Sequence, residues 1–185
     1  MKWYENRALA WVALALCVAV SVVGLGGMYL SRTREHALRV FTDGADPSQP
    51  VRHSMDAYLD HAAEAAQIMA SEAALHLGDS QLARDAGDEA AELARDENGP
   101  AARYSTYAQL KGHVEQLYND MYTAVGSDEF HNFKLAYDDF WGDDDLIRRD
   151  PYPALARSYN RLIAGFPASV AAALTGSGAL ETFGG

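Results

Sequence analysis

The chain has 185 residues, a net charge of −11, 49% hydrophobic residues and a single cysteine. So acidic a surface repels nucleic acid and anionic headgroups, which excludes binding classes that depend on a basic patch. A lone thiol, Cys17, excludes an internal disulfide and leaves the redox compartment undetermined.

The first element is an uncharged apolar run from Ala8 to Leu30. It exceeds the roughly 20 residues that cross a bilayer as one helix. Lys2 and Arg7 precede it, as they would in a signal peptide, but it is longer than a signal core of about 7–15 residues and no small-x-small cleavage site follows. Trp3, Tyr4, Trp11 and Tyr29 lie near its ends, where amphipathic rings favour the headgroup layer, so the run is read as a retained single-pass anchor. Basic residues flank both ends, Lys2 and Arg7 against Arg32, Arg34 and Arg39. A short basic amino-terminal tail that stays inside would put the rest of the chain on the extracytoplasmic side. Within the run, Ala13, Cys17, Ser21 and Gly24 share a face of small residues, a spacing that lets two membrane helices pack and the chain form a homo-oligomer.

Residues 1–31 are thus expected to hold the tail and anchor, 32–50 a juxtamembrane segment and linker, 51–176 a helical bundle and 177–185 a flexible tail. The linker is marked by Asp43, Gly44, Asp46, Pro47 and Pro50. Beyond it strand alternation is absent and apolar residues recur at spacings of three and four, the helical period. The spacing predicts a first soluble helix from Val51 to Leu77, closed by Gly78. Ser80 caps a second helix with a mostly alanine stripe, ended by Asn98, Gly99 and Pro100. A third, Ala101 to Val125, carries Tyr104, Tyr107, Val114, Leu117, Tyr118 and Met121. A fourth runs from about Asp128, through Phe130, Phe133, Tyr137, Phe140 and Trp141, to Gly142. Asp150-Pro151 is a strong start signal for a fifth, with Tyr152, Leu155, Tyr159, Leu162, Ile163 and Phe166 on its stripe and Pro167 as its break. Ala168 to Leu174 adds a short apolar helix. The fold class is all-α, a single transmembrane helix followed by an antiparallel helical bundle.

The carboxy-terminal order Tyr159-Asn160, Phe166-Pro167, small apolar residues Ala168 to Leu174, Gly176 and a late Phe183 resembles the signature of LemA-like bacterial membrane proteins. The match in residues covers about Asp150 to Phe183, and the single anchor ahead of an acidic helical body is similar as well. The family's Leu-x-Pro-Asn-Leu element is missing from Val51 to Leu77, which would make the chain a divergent branch. The resemblance implies an elongated antiparallel bundle in the bacterial envelope and supplies no catalytic residue.

Chemistry-bearing patterns are sparse. Asp138, Asp139, Asp143, Asp144, Asp145 and Asp150 crowd the segment between the fourth and fifth helices. An EF-hand loop beginning at Asp143 would need glycine and glutamate where Arg148 and Ala154 stand, so an exposed acidic loop is expected there. The histidines follow no His-Glu-x-x-His spacing, and only Asp128-x-x-His131 approaches a di-iron pattern. Nucleophile elbows and phosphate loops are missing. No catalytic residue, metal or cofactor is therefore expected. Trp141 and Tyr152 are the candidate partner patch, since aromatic residues are enriched at interfaces. The expectation is a noncatalytic, membrane-tethered bundle that binds other envelope proteins and no nucleic acid. The alternative is a membrane-bound enzyme, or a ligand or cation sensor with its site in or at the end of the bundle.

Overall fold

The computed structural model describes residues 7–45, 54–95, 99–125 and 130–183. The expected linker residues Asp46, Pro47 and Pro50, the helix start at Val51, the break at Asn98 and the start at Asp128 lie outside them. Among the described residues seven helices follow in chain order: α1 (Arg7–Asp43), α2 (Met55–Leu77), α3 (Gln81–Leu93), α4 (Pro100–Ala124), α5 (His131–Arg149), α6 (Tyr152–Ala164) and α7 (Ala168–Thr175). No strand occurs among the described residues. The all-α bundle is the observed fold.

The chain divides into two compact units, Arg39–Tyr152 with Glu181–Gly185, and Met1–Leu38 with Pro153–Leu180. This differs from a bundle spanning 51–176, because α6 and α7 cluster with the first part of α1 rather than with the preceding helices.

The first of these units is built on α2, which packs against α3, α4 and α5. Local signals set its helix ends. The Ser54 hydroxyl accepts the Ala57 amide at 3.1 Å and the Ser80 hydroxyl accepts that of Ala83 at 3.3 Å, each satisfying a first-turn donor with no helical partner. Gly78, at φ +69°, ends α2 in a conformation that disfavours a Cβ. The short turn that follows makes α2 and α3 antiparallel neighbours. Their contact is alanine on alanine: Ala62, Ala66, Ala70 and Ala73 are buried on α2, and Ala83, Ala86 and Ala90 on α3. Small side chains let the two backbones approach closely, so the mostly alanine stripe of α3 suits the place it occupies. α4 and α5 bring large residues into the core, Tyr107, Leu110, Val114, Leu117 and Met121 from the one and Phe133, Phe140 and Ile147 from the other, with Tyr107 and Phe140 meeting at 5.6 Å.

The juxtamembrane segment is helical, for α1 continues to Asp43, where the expected linker begins, and buries Val40 and Phe41 at its end. One expectation is corrected. The acidic stretch is no loop, because α5 passes through Gly142 and stops only at Arg149. Burial of Asp144 and Ile147, with Asp144–Arg148 and Asp145–Arg149 pairs one turn apart, carries the helix past the glycine.

At the end of the Arg39–Tyr152 stretch Asp150 accepts the Tyr152 amide at 2.8 Å to start α6, and in the other unit Gly176, at φ +67°, ends α7. The peptide bond between Phe166 and Pro167 is cis. Of the expected α6 stripe Tyr159 is buried, whereas Phe166 is 86% exposed. The tail expected to be flexible is held: the Asn160 amide group donates to the Leu180 carbonyl at 2.5 Å and accepts the Leu180 amide at 2.7 Å.

Candidate functional site

The greatest concentration of interacting charge lies where α4 meets α5, and the same periodicity that buries apolar residues puts it there. On α4, Arg103 falls in register with Tyr107, Leu110, Val114, Leu117 and Met121. On α5, Asp144 falls in register with Phe133, Ala136, Phe140 and Ile147. Both helices therefore direct one charged side chain inward, and each buried charge requires partners.

Asp144 has them. One carboxylate oxygen accepts the Tyr107 hydroxyl at 2.7 Å and the Lys111 ammonium at 2.6 Å, while the other faces the Arg148 guanidinium at 2.5 Å. Burial pushes the Asp144 carboxyl up, but the bonds from Lys111 and Tyr107 and the charges of Lys111 and Arg148 outweigh that and hold it below the usual carboxylate range. The Tyr107 hydroxyl is driven well above its ordinary value, first by burial and then by donation to Asp144. Lys111 also sits over the Trp141 ring, 5.1 Å from its centroid. A carboxylate held ionised and an undissociated phenol form a fixed electrostatic link with no proton to exchange near neutral pH.

Arg103, 2% exposed, is the second such link. Its guanidinium bonds Asp56, reaches Asp60 at 2.5 Å and donates through Nε to the Leu93 carbonyl at 3.1 Å. One side chain of α4 thereby ties down the first turns of α2 and the carboxy-terminal end of α3.

Beside the Asp144 cluster, α2 and α5 bound an open groove of about 570 Å³ lined by His61, Glu64, Asp138, Asp139 and Asp143, with Ile68 and Leu146 as its apolar part. Burial pushes the Asp143 carboxyl up, with His61 opposing and Asp139 adding to the effect. Asp150 is raised as well, by burial that its bond from the Tyr152 amide only partly offsets. Among the described residues, no group of three or more His, Cys, Asp or Glu side chains has the geometry to hold a metal ion. The aspartates expected to act together are spread around a helix: Asp144 points inward, Asp143 lines the groove, and Asp145 pairs with Arg149 on the surface.

The structure also separates the expected partner patch. Tyr152 is fully buried, edge-on to Phe41 at 5.1 Å and to Phe183 at 5.3 Å, and so offers no surface to a partner. Trp141 is half-buried against Tyr137, Phe140 and Lys111. Ala13, Cys17, Ser21 and Gly24 lie along an exposed face of α1, and a Cβ added at Gly24 would meet nothing within 4 Å. The neighbouring Gly26 and Gly27 are the positions that another helix approaches closely. A Cβ at Gly26 would come within 3.5 Å of Ala171, and one at Gly27 within 2.7 Å of Thr175.

Sequence reasoning passed over Arg103 and placed Asp144 in an exposed acidic loop. The signal was present, since each continues a run of apolar positions at intervals of three and four, where a charge must be either an error of register or a paired interior group.

No protein-family model matches the chain, and neither a curated protein nor a solved structure matches it.

Proposed function

We propose that this chain is a membrane-tethered, noncatalytic helical bundle that binds other proteins of the bacterial envelope, with its body outside the cytoplasm. One observation carries the reading. The most apolar window of α1 is long enough to cross a membrane and none of it is buried within the molecule. Trp11, Leu16, Val20 and Leu25 are each more than half exposed, a surface that water would not tolerate and a bilayer would cover. The Tyr159-Asn160 and Phe166-Pro167 order supports membership of a divergent LemA-like branch. The noncatalytic part draws on Asp144 and Arg103, the most buried charges, whose bonding capacity is taken up by neighbouring helices.

The groove of His61, Glu64, Asp138, Asp139 and Asp143 favours a second reading, a cation or small-ligand sensor. Two measurements separate these possibilities. The full-length chain should stay with membranes through alkaline carbonate and retain its uncleaved mass; release, or loss of the apolar run, would remove the tether. Affinity purification from solubilised membranes should return the same envelope proteins with the parent and with an Asp138→Asn/Asp143→Asn variant. Loss of those partners in the variant, together with a melting temperature of the parent that climbs with added calcium or magnesium, would favour the sensor.

A further inference from the structure

α1, α6 and α7 leave an apolar surface that the proposed tether alone does not explain. No charged residue lies between Arg161 and Glu181, a stretch that includes the end of α6, the Gly165-Phe166-Pro167 turn and all of α7. Its large apolar side chains face outward: Phe166 is 86% exposed, Leu174 66% and Val170 46%. An eight-residue helix with apolar side chains on its outer face as well as its inner one is not the amphipathic helix of a water-exposed surface.

Its neighbours on α1 give its place. Phe166, Pro167 and Val170 share a hollow of about 590 Å³ with Leu14, Val18 and Val22, around the middle of the apolar run, and with Trp11 toward its start. Leu162, Pro167 and Ala171 line a smaller hollow with Gly26, Tyr29 and Leu30, at the end of that run. The α6–α7 turn is thus level with the centre of the run, and the residue after Arg161 is level with its edge. From Leu30 back to Val18 is roughly 18 Å at about 1.5 Å per residue, more than half the hydrocarbon thickness of about 30 Å.

We propose that the end of α6, the turn and α7 form a re-entrant hairpin that enters the bilayer beside α1, with acyl chains filling the hollow around Phe166. The inference rests on α1 spanning the membrane, since it takes its depth from α1. Continuity with the span identifies the occupant: a groove walled on one side by lipid-facing residues of a membrane helix opens onto the same acyl chains. The backbone suits that medium, where an unpaired polar group is costly. Pro167 has no amide to satisfy, the Gly165 carbonyl accepts from Ser169 at 2.8 Å, the Pro167 carbonyl accepts from Val170 at 3.1 Å, and the Thr175 hydroxyl donates back to the Ala171 carbonyl at 2.8 Å. Arg161 falls at headgroup level, where its long stem can carry the charge to water. Gly26 and Gly27 supply the room for α7 to lie close against the span.

The test uses the full chain in phosphatidylcholine vesicles, with Cys17→Ser as the background and a nitroxide on one introduced cysteine at a time. Leu16→Cys reports the span, Leu75→Cys the water-exposed body, and Phe166→Cys and Val170→Cys the hairpin; two hairpin positions guard against a local effect of one label. Relaxation by oxygen, which concentrates in lipid, is compared with relaxation by a water-soluble nickel chelate. The hairpin labels should match position 16, with oxygen several-fold more effective than nickel. If both match position 75 while position 16 stays lipid-like, the hairpin is wrong and the anchor stands. If neither reagent reaches the hairpin labels, protein rather than lipid fills the hollow and the proposal fails. If position 16 itself matches position 75, the membrane span fails and the hairpin with it.

Discussion

Asp144 is the side chain whose loss the body should feel most. Removing one partner of a buried charge pair leaves the others desolvated, at a cost of about 3–5 kcal/mol when all are deeply buried. Lys111 and Arg148 are partly exposed and can turn to water, so the lower end of that range applies. Asp144→Ala should destabilise the body by about 3 kcal/mol. Tyr107→Phe should cost about 1.5–2 kcal/mol, the worth of a hydrogen bond to a charged group. Arg149→Ala, which breaks the exposed pair with Asp145, should cost well under 1 kcal/mol. Thermal unfolding followed by circular dichroism would check the order, and equal losses from Asp144→Ala and Arg149→Ala would contradict the buried link. Asp143 behaves oppositely with pH. Burial raises its folded pKa above the unfolded value of about 3.9, so the stability it contributes is complete below that value and is lost as pH rises through the folded pKa. Asp144, held low, stays ionised over the same window and loses its contribution only on further acidification. Asp143→Asn should therefore melt above the parent at pH 7, with the gap closing toward pH 4; a constant gap would show that the carboxyl does not titrate in that window.

At the scale of elements, α5 is the informative helix because it crosses a residue that would ordinarily end one. A Cβ at Gly142 would meet nothing within 4 Å, and its backbone is already helical. Gly142→Ala should stabilise the protein by about 0.5–1 kcal/mol through the smaller backbone entropy of the unfolded chain. Gly78→Ala is the opposing control. That glycine closes α2 at φ +69°, so a Cβ there is strained even though space is available, and the melting temperature should fall. If both substitutions moved it in the same direction, either the continuity of α5 or the capping geometry of α2 would be wrong.

On the scale of the whole molecule, residues far apart in sequence complete one aromatic cluster in the Arg39–Tyr152 unit. Phe183 meets Tyr104 at 4.5 Å, Tyr152 at 5.3 Å and Phe41 at 5.9 Å, while Glu181 accepts the Ala101 amide at 2.9 Å in the first turn of α4. Glu181 thereby supplies the cap that Gly99, which has no side chain, cannot. Phe183→Ala should cost about 3–4 kcal/mol, the usual loss on truncating a buried ring, whereas Leu75→Ala on the exposed side of α2 should stay within about 0.5 kcal/mol. Thermal melts of the two variants beside the parent would show whether the chain's last residues belong to the core or merely trail from it.

The sequence by itself determined what depends on near neighbours. The cap at Ser80, the Asp150-Pro151 start, the stops at Gly78 and Pro167, and the apolar run of α1 are all set within one or two helical turns, and all stand where the residues place them; the cap at Ser54 is equally local, though the periodicity alone carries that helix back to Val51. Only the tertiary structure decided what depends on distant partners. Asp144 finds Tyr107 and Lys111 more than 30 positions away, and Tyr152 is enclosed by Phe41 and Phe183 from opposite parts of the chain. The helical run of α5 past Gly142, which local composition marked as an acidic loop, is carried by burial on another helix. Phe166 shows the same limit in reverse: its spacing put it on a buried stripe, yet it stands exposed beside the apolar face of α1. Periodicity identifies which residues share a face, but what that face meets is fixed by chain segments too far away for any local pattern to encode.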